Sequence, residues 1–189
     1  LTLTKNGVYT FRFIDQAGNI TSHSLIVSGI DRTAPEIEVT PSDTRHLEMT
    51  AGSVKITVKA ISEDCTVICN GSEYPVSNGS SQDIFFTANG TYTITAVDNA
   101  GNSSTYTVTV GNIDKTAPFI SFDNNTVYIL EGTSEADMKA LLDAGYTAWD
   151  NEEAAGFPTV TYDITEVDRA AAGLYPVTYT VTDRAGNIT

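Results

Sequence analysis

Apolar and polar residues alternate along much of the chain. In residues 53–60, Val54, Ile56 and Val58 point one way and Lys55, Thr57 and Lys59 the other. Residues 105–110 repeat the pattern with Tyr106, Val108 and Val110, and residues 175–181 with Tyr175, Val177, Tyr179 and Val181. A period of two predicts antiparallel strands with one buried face. Pro176 falls on the outward face and predicts a sheet edge or a bulge, because it has no N–H to give a ladder. One stretch, residues 134–142, predicts a helix. Ser134 suits the N-cap, Glu135 and Asp137 suit the positive end of the dipole, and Gly145 ends the segment. Met138, Leu141 and Leu142 form its apolar stripe. The fold class expected is all-β with one short helix.

The strands recur in phase. Residues 6–19 read NGVYTFRFIDQAGN, residues 89–102 read NGTYTITAVDNAGN, and residues 173–187 read GLYPVTYTVTDRAGN. Each carries Gly-x-Tyr, a strand and Asp-x-Ala-Gly-Asn, with the aspartates spaced 98−15 = 83 and 183−98 = 85 apart. Ile-Asp-Arg/Lys-Thr-Ala-Pro occurs at 30–35 and again at 113–118, also 83 apart. Two motifs sharing one period mark a repeated domain. Asp-x-Ala-Gly-Asn is hairpin chemistry: the glycine takes positive φ, and the Asp and Asn side chains cap the turn. Thr-Ala-Pro reads as a stiff extended linker, since proline fixes its own φ and restricts the alanine before it.

Composition narrows the chemistry. The 189 residues carry 24 Asp+Glu against 10 Lys+Arg, a formal net charge of −14. That charge repels nucleic acid and anionic membrane surfaces. No apolar run approaches the ~20 residues of a membrane span, so no direct membrane insertion is expected. The opening Leu-Thr-Leu-Thr reads as the start of an excised fragment. Two His and two Cys leave little material for transition-metal sites or acid–base chemistry, and His23 and His46 read as surface residues. On one strand, Cys65 and Cys69 face the same way about 13 Å apart at ~3.3 Å per residue, so free thiols are expected. Asn-x-Ser/Thr triplets at Asn19, Asn70, Asn78, Asn89, Asn102 and Asn187 read as turn composition. No nucleophile elbow, phosphate loop or His-Glu-x-x-His helix occurs.

With these motifs the chain resembles tandem bacterial immunoglobulin-like domains of large cell-surface, adhesin-type proteins. The middle repeat resembles modules that begin Asp-x-Thr-Ala-Pro and end around Asp-x-Ala-Gly-Asn. The third, with Asp137-Met138-Lys139-Ala140-Leu141-Leu142 and Ala148-Trp149-Asp150-Asn151, resembles a divergent relative. The resemblance implies tandem β-sandwiches. Residues 1–29 would be the C-terminal F–G hairpin of one module and residues 30–112 a complete module. Residues 113–189 would be a divergent module with its last strand truncated. It also implies that Tyr9, Tyr92 and Tyr175 form tyrosine corners, with Tyr92 buried.

In such a sandwich the linker and the loops after the second and sixth strands meet at the entry end. That gathers Asp31, Glu63, Asp64 and Asp98 at one joint, and Asp114, Asp150, Glu152 and Asp183 at the next. Hard oxygen donors without His or Cys match Ca²⁺, and the resemblance implies Ca²⁺ at such joints. The alternative is that the aspartates cap turns and the remaining acids are solvated.

The expected function is that of non-catalytic spacer repeats of a bacterial extracellular surface protein, displaying other domains or contributing to adhesion. The alternatives are a ligand- or glycan-binding adhesin module, for which Tyr74, Trp149 and Phe157 are the candidates, or an accessory module of a secreted carbohydrate-active enzyme. The partners expected are neighbouring modules and a host protein or glycan. Exposed Phe11, Phe13, Tyr179 and Val181 would further allow strand exchange between copies.

Overall fold

A computed structural model of the chain describes residues 1–151 and 158–189. In chain order these form β1 (Gly7–Ile14), β2 (Ile20–Val27), β3 (Ile37–Thr40), β4 (Val54–Ala60), β5 (Cys65–Cys69), β6 (Ser72–Val76) and β7 (Ser81–Phe86). There follow β8 (Gly90–Val97), β9 (Ser103–Val110), β10 (Phe119–Phe122), α1 (Glu135–Ala144), β11 (Tyr146–Trp149), β12 (Thr159–Asp163) and β13 (Thr178–Thr182). The protein is mostly β, as the alternation predicts. The chain divides into two compact units. One comprises Leu1–Ser42, Ile56–Ile84 and Thr91–Val108, the other Asp43–Lys55, Phe85–Gly90 and Thr109–Thr189.

In the first unit, β1 and β2 pair antiparallel from Gly7↔Val27 to Ile14↔Ile20. This register puts Tyr9, Phe11, Phe13, Leu25 and Val27 on one face. Phe13 is 62% exposed and Leu25 45%, while Phe11 is half-buried. The Tyr9 hydroxyl donates to the Lys5 carbonyl at 2.7 Å. Tyr92 is half-buried rather than buried, because β8 turns its first residues toward solvent and reaches full burial only at Ile94 and Ala96.

Two larger sheets have the orders β3-β4-β7 and β6-β5-β8-β9. The interior strands β4 of the first and β5 of the second bury every second residue. Ile56, Val58 and Ala60 of β4, Val67 of β5, and Ile94 and Ala96 of β8 have no exposed surface. Burying a valine or isoleucine side chain is worth about 1.5–3 kcal/mol, so these positions fix the register of each strand. Cys65 and Cys69 lie at the two ends of β5, buried and free. Burial pushes both thiols up from their ordinary value.

In the second unit, β10 pairs with β11 and β12 with β13. Ser134 caps α1, its Oγ accepting from the Asp137 amide at 3.1 Å, and Gly145 closes it by donating to the Leu142 carbonyl. Met138 and Leu142, four residues apart, share the buried stripe. Leu141 is 45% exposed, because one residue back is ~100° round the helix. The last strand begins at Thr178, leaving Tyr175, Pro176 and Val177 outside it. Pro176 offers no N–H and holds Tyr175 extended, which delays the ladder. Val181 is fully buried, contrary to the open edge expected there, since it exchanges two hydrogen bonds with Thr189 at 2.8 and 2.9 Å. Beside it the half-buried Tyr179 packs on Phe122, Tyr146 and Tyr162, with ring centroids 4.8–5.6 Å apart.

Candidate cation sites

Asp-x-Ala-Gly-Asn folds in the same way wherever it occurs. Asp15 Oδ1 accepts from the amides of Ala17 (2.9 Å) and Asn19 (2.8 Å), and Oδ2 accepts from Asn19 Nδ2 (2.8 Å). Asp98 does the same with Ala100 and Asn102, each bond 2.8 Å. Asp183 accepts from the Asn187 amide (2.8 Å) and Nδ2 (2.7 Å). The turn needs φ of 91° at Gly101 and Gly186, a region open to glycine and costly for other residues. Each hairpin tip therefore holds a carboxylate in a fixed position. The Asn19 side chain and amide keep the Asp15 carboxyl below its ordinary value. For Asp98 burial acts upward, but the bonds from Asn102, Ala100 and Gly101 outweigh it and the group ends lower.

The linkers repeat too. Asp31 Oδ1 accepts from the Thr33 amide and Asp114 Oδ1 from the Thr116 amide, both at 2.9 Å. Each preceding isoleucine is gripped at two points. Asn6 donates to the Ile30 carbonyl and accepts from the Ile30 amide, both at 2.9 Å. Asn89 grips Ile113 at 2.7 and 2.9 Å. Sequence reasoning missed this clamp, although the signal was present: Asn-Gly opens the first two repeats at the same phase, and the third has Ala172-Gly173 instead.

Linker, turn and loop carboxylates converge twice. Oxygens of Asp31, Glu63 and Asp98 lie within 4.8 Å of one another, as do oxygens of Asp114, Asp150 and Asp183. All three residues of the first set belong to the first unit and all three of the second to the second. The first set borders an open cleft with Gly29, Asp64, Asn99 and Ala100. Asp64 lines that cleft but is not in the cluster, and its Oδ1 accepts from the Asn78 amide at 2.7 Å. Glu152 lies outside the described residues. The second set is more enclosed, with Asp114 and Asp183 each 5% exposed. It is also more firmly framed. Asp114 donates its amide to the Thr50 carbonyl at 3.0 Å, and Asn187 Nδ2 donates to the Asp114 carbonyl at 3.1 Å. Ala51 donates to the Ala185 carbonyl at 3.3 Å. Oδ1 of Asp150 is buried without a hydrogen-bond partner among the described residues.

Three converging carboxylates repel one another unless a cation joins them, and a buried acceptor without a donor carries a desolvation cost. An all-oxygen donor set fits a hard divalent ion such as Ca²⁺, which takes six to eight oxygen ligands in all, the balance supplied by water and backbone carbonyls. The residues present fit that ion, and the orphaned Asp150 oxygen is the observation that tests the fit.

Repulsion is already visible at Glu63. Its carboxyl is raised above the ordinary 4.5, first by burial and then by the charges of Asp31 and Asp98. Just above that value the folded chain keeps a proton that the unfolded chain has released. Stability therefore falls as pH rises through this window and levels off above the folded value of Glu63. The lowered Asp15 and Asp98 act oppositely and at lower pH. Glu63→Gln is expected to remove the falling limb and to melt above wild type at neutral pH in chelator. Thermal melts between about pH 4 and pH 8 read this directly, and superimposable wild-type and variant profiles would refute it.

Elsewhere, Phe119 and Trp149 face each other across β10 and β11, with ring centroids 4.4 Å apart, and remain 53% and 46% exposed. Tyr74 is half-buried, and Phe157 lies outside the described residues. Burial, then Asp143 beside it, pushes the Tyr162 hydroxyl up to about 12. No described helix is long and apolar enough to cross a membrane. Scanned against protein-family models and searched against curated proteins, the chain finds no match.

Proposed function

We propose that the chain is a run of immunoglobulin-like β-sandwich modules, serving as non-catalytic spacers in a bacterial extracellular surface protein, with Ca²⁺ bound where each linker meets the module it enters. The observation that carries this is the recurrence of one carboxylate triad in phase with the sequence repeat. The partners are 114−31 = 83, 150−63 = 87 and 183−98 = 85 residues apart. Turn-capping accounts for the aspartates at the hairpin tips. It does not account for a third acid beside each, nor for the unpaired oxygen of Asp150. The sheet orders β3-β4-β7 and β6-β5-β8-β9 support the sandwich, being those of an immunoglobulin-type A-B-E and C′-C-F-G pair. Acidity and stiff Thr-Ala-Pro joints suit a spacer exposed to solvent.

Calcium binding to the folded chain raises its melting temperature by mass action, about 2.7 kcal/mol per site at a hundredfold excess over the dissociation constant. Trp149, the single tryptophan, adjoins Asp150 and supplies a fluorescence reporter for the second site. Thermal melts and Trp149 emission recorded in calcium and in chelator should differ, and magnesium, which prefers a smaller octahedral shell, should produce less change. Identical melts and spectra would leave these acids as turn caps and solvated side chains.

A second reading, an adhesin module for a neutral glycan, is favoured by the exposed Phe119–Trp149 pair, since aromatic faces stack on sugar rings. A glycan array separates the two: the spacer reading expects no bound sugar.

A further inference from the structure

We propose that Cys65 and Cys69 form a redox latch on the middle repeat: a disulfide between them closes only when β5 opens, and once closed it keeps that repeat from refolding. The two cysteines bracket β5 (Cys65–Cys69), 6% and 2% exposed, on the same face as Val67, which has no exposed surface. The strand is interior. It pairs with β6 from Cys65↔Val76 to Cys69↔Ser72, and on its other side with β8 from Thr66↔Val97 to Cys69↔Ile94. Extended between two ladders, β5 holds the two Cα atoms about 13 Å apart at ~3.3 Å per residue, whereas a disulfide needs them within about 7 Å. The intact strand and the disulfide therefore exclude each other. Side chains four residues apart meet only in a bend, as across one helical turn, where their Cβ atoms are about 5–6 Å apart. Bending residues 66–68 in that way breaks both ladders and takes Val67 from the core it shares with Ile56, Val58, Ile94 and Ala96.

The folded repeat protects the pair in two ways. Burial keeps reagents from both sulfurs. Burial also pushes both thiols up from their ordinary value, and at Cys65 the charges of Glu63 and Asp64 add to it. Little thiolate is then present, and thiolate is the nucleophile of disulfide exchange. Opening the strand removes both protections together. The third repeat shows that the pair is no requirement of the fold. There β12 pairs with β13 as β5 pairs with β8, and Tyr162 stands opposite Tyr179 where Cys69 stands opposite Ile94. The partners are 179−94 = 85 residues apart, the spacing of the turn aspartates. In the places of Cys65 and Cys69 that repeat has Pro158 and Tyr162, so both cysteines of the chain belong to the middle repeat.

The oxidant is a small disulfide of the glutathione type, and the chemistry is exchange. The thiolate of one cysteine attacks the small disulfide, which forms a mixed disulfide and releases one glutathione. The thiolate of the other attacks the protein sulfur of that mixed disulfide and releases the second glutathione. Two protein thiols are oxidised to one disulfide, and one glutathione disulfide is reduced to two thiols, which take up the two protons. The spacer reading supplies the setting: a repeat pulled open in an oxidising extracellular medium stays extended until it is reduced. The thiol chemistry is read without calcium and in the isolated chain, so its failure and that of the spacer reading are visible separately.

Thiol counting on the full chain provides the test. The chain is held with oxidised glutathione at about pH 8, either folded or in urea above its unfolding midpoint, then blocked with iodoacetamide and weighed. The folded chain is expected to keep both thiols free and to lose them roughly a thousandfold or more slowly than the unfolded chain, because only the opened fraction reacts. The unfolded chain is expected to lose two hydrogens, with the cross-link mapped to the peptide that holds Cys65 and Cys69. After urea and oxidant are removed, hydrogen exchange in β4, β5 and β8 should stay fast in the oxidised chain and turn slow once dithiothreitol is added. The proposal is overturned by an internal disulfide formed in the folded chain, or by glutathione adducts or cross-linked dimers in its place in the unfolded one. It is equally overturned by an oxidised chain that regains slow exchange in β5, or by one that dithiothreitol does not restore.

Discussion

Replacing Asp150 with asparagine should change stability in opposite directions depending on calcium. In chelator the variant melts higher than wild type; in calcium it loses the rise contributed by the second site. One oxygen each of Asp114, Asp150 and Asp183 lie within 4.8 Å of one another, and the buried Oδ1 of Asp150 accepts no hydrogen bond from any described group. Removing its charge relieves repulsion on both sides and breaks no bond involving that oxygen. The gain without calcium is on the order of 1 kcal/mol, from two repulsions at short range partly screened by the surroundings. It reads as about 2–4 °C in melting temperature for a chain of this size. With calcium the same change removes a charged ligand, and the increment lost is about 2.7 kcal/mol at a hundredfold excess over the dissociation constant. Calorimetric melts of both proteins in both conditions give four temperatures. A variant that melts lower than wild type in chelator would mean that Asp150 has a structural partner. A variant that keeps the full calcium response would mean that the ion is held elsewhere. Trp149, one residue away, should lose its calcium-dependent emission change in the same variant.

The second large effect is expected at Asn89. Its side chain meets both main-chain groups of Ile113, which is 6% exposed. Asn89→Ala leaves a buried N–H and a buried C=O unpaired together, and the cost should be about 3 kcal/mol. Asn89→Asp is no rescue, because the carboxylate keeps the acceptor but faces the Ile113 carbonyl where a donor stood. Asn6 makes the same two bonds to Ile30, but all the partners in that clamp are exposed or half-buried. Water replaces the lost groups there, and Asn6→Ala should cost only about 1 kcal/mol. Denaturant unfolding of the two variants tests the contrast. Equal losses would show that burial of the isoleucine does not set the strength of the clamp. Since Asp114 follows Ile113 directly, Asn89→Ala should also weaken the calcium response of the second site.

Much of the local structure follows from sequence because it is local. Alternation of Val54, Ile56 and Val58 predicts β4, and Ser134 with Asp137 predicts the start of α1. Asp-x-Ala-Gly-Asn predicts its turn down to the side chains that close it, since all five residues needed lie side by side. The free thiols of Cys65 and Cys69 follow from strand spacing alone. Where a neighbour distant in sequence decides, local pattern gives the wrong answer. Val181 looks like an open edge until Thr189 pairs with it, and Leu141 looks like part of the helix stripe until the packing takes Met138 and Leu142. Tyr92 looks buried until β8 is seen to sink only from Ile94 onward.

The carboxylate clusters divide in the same way. The repeat, the turn geometry and the excess of oxygen donors are legible along the chain, because each depends on residue type and spacing. Which acids meet is set by the packing of distant segments. Asp31, Glu63 and Asp98 come from a linker, a loop and a hairpin tip, and spacing along the chain carries no information about distances among three such segments. It selected Glu63 over its neighbour Asp64, whose carboxylate is occupied by the Asn78 amide. It also left one oxygen of Asp150 buried without a donor, since only the packing around an atom determines what reaches it.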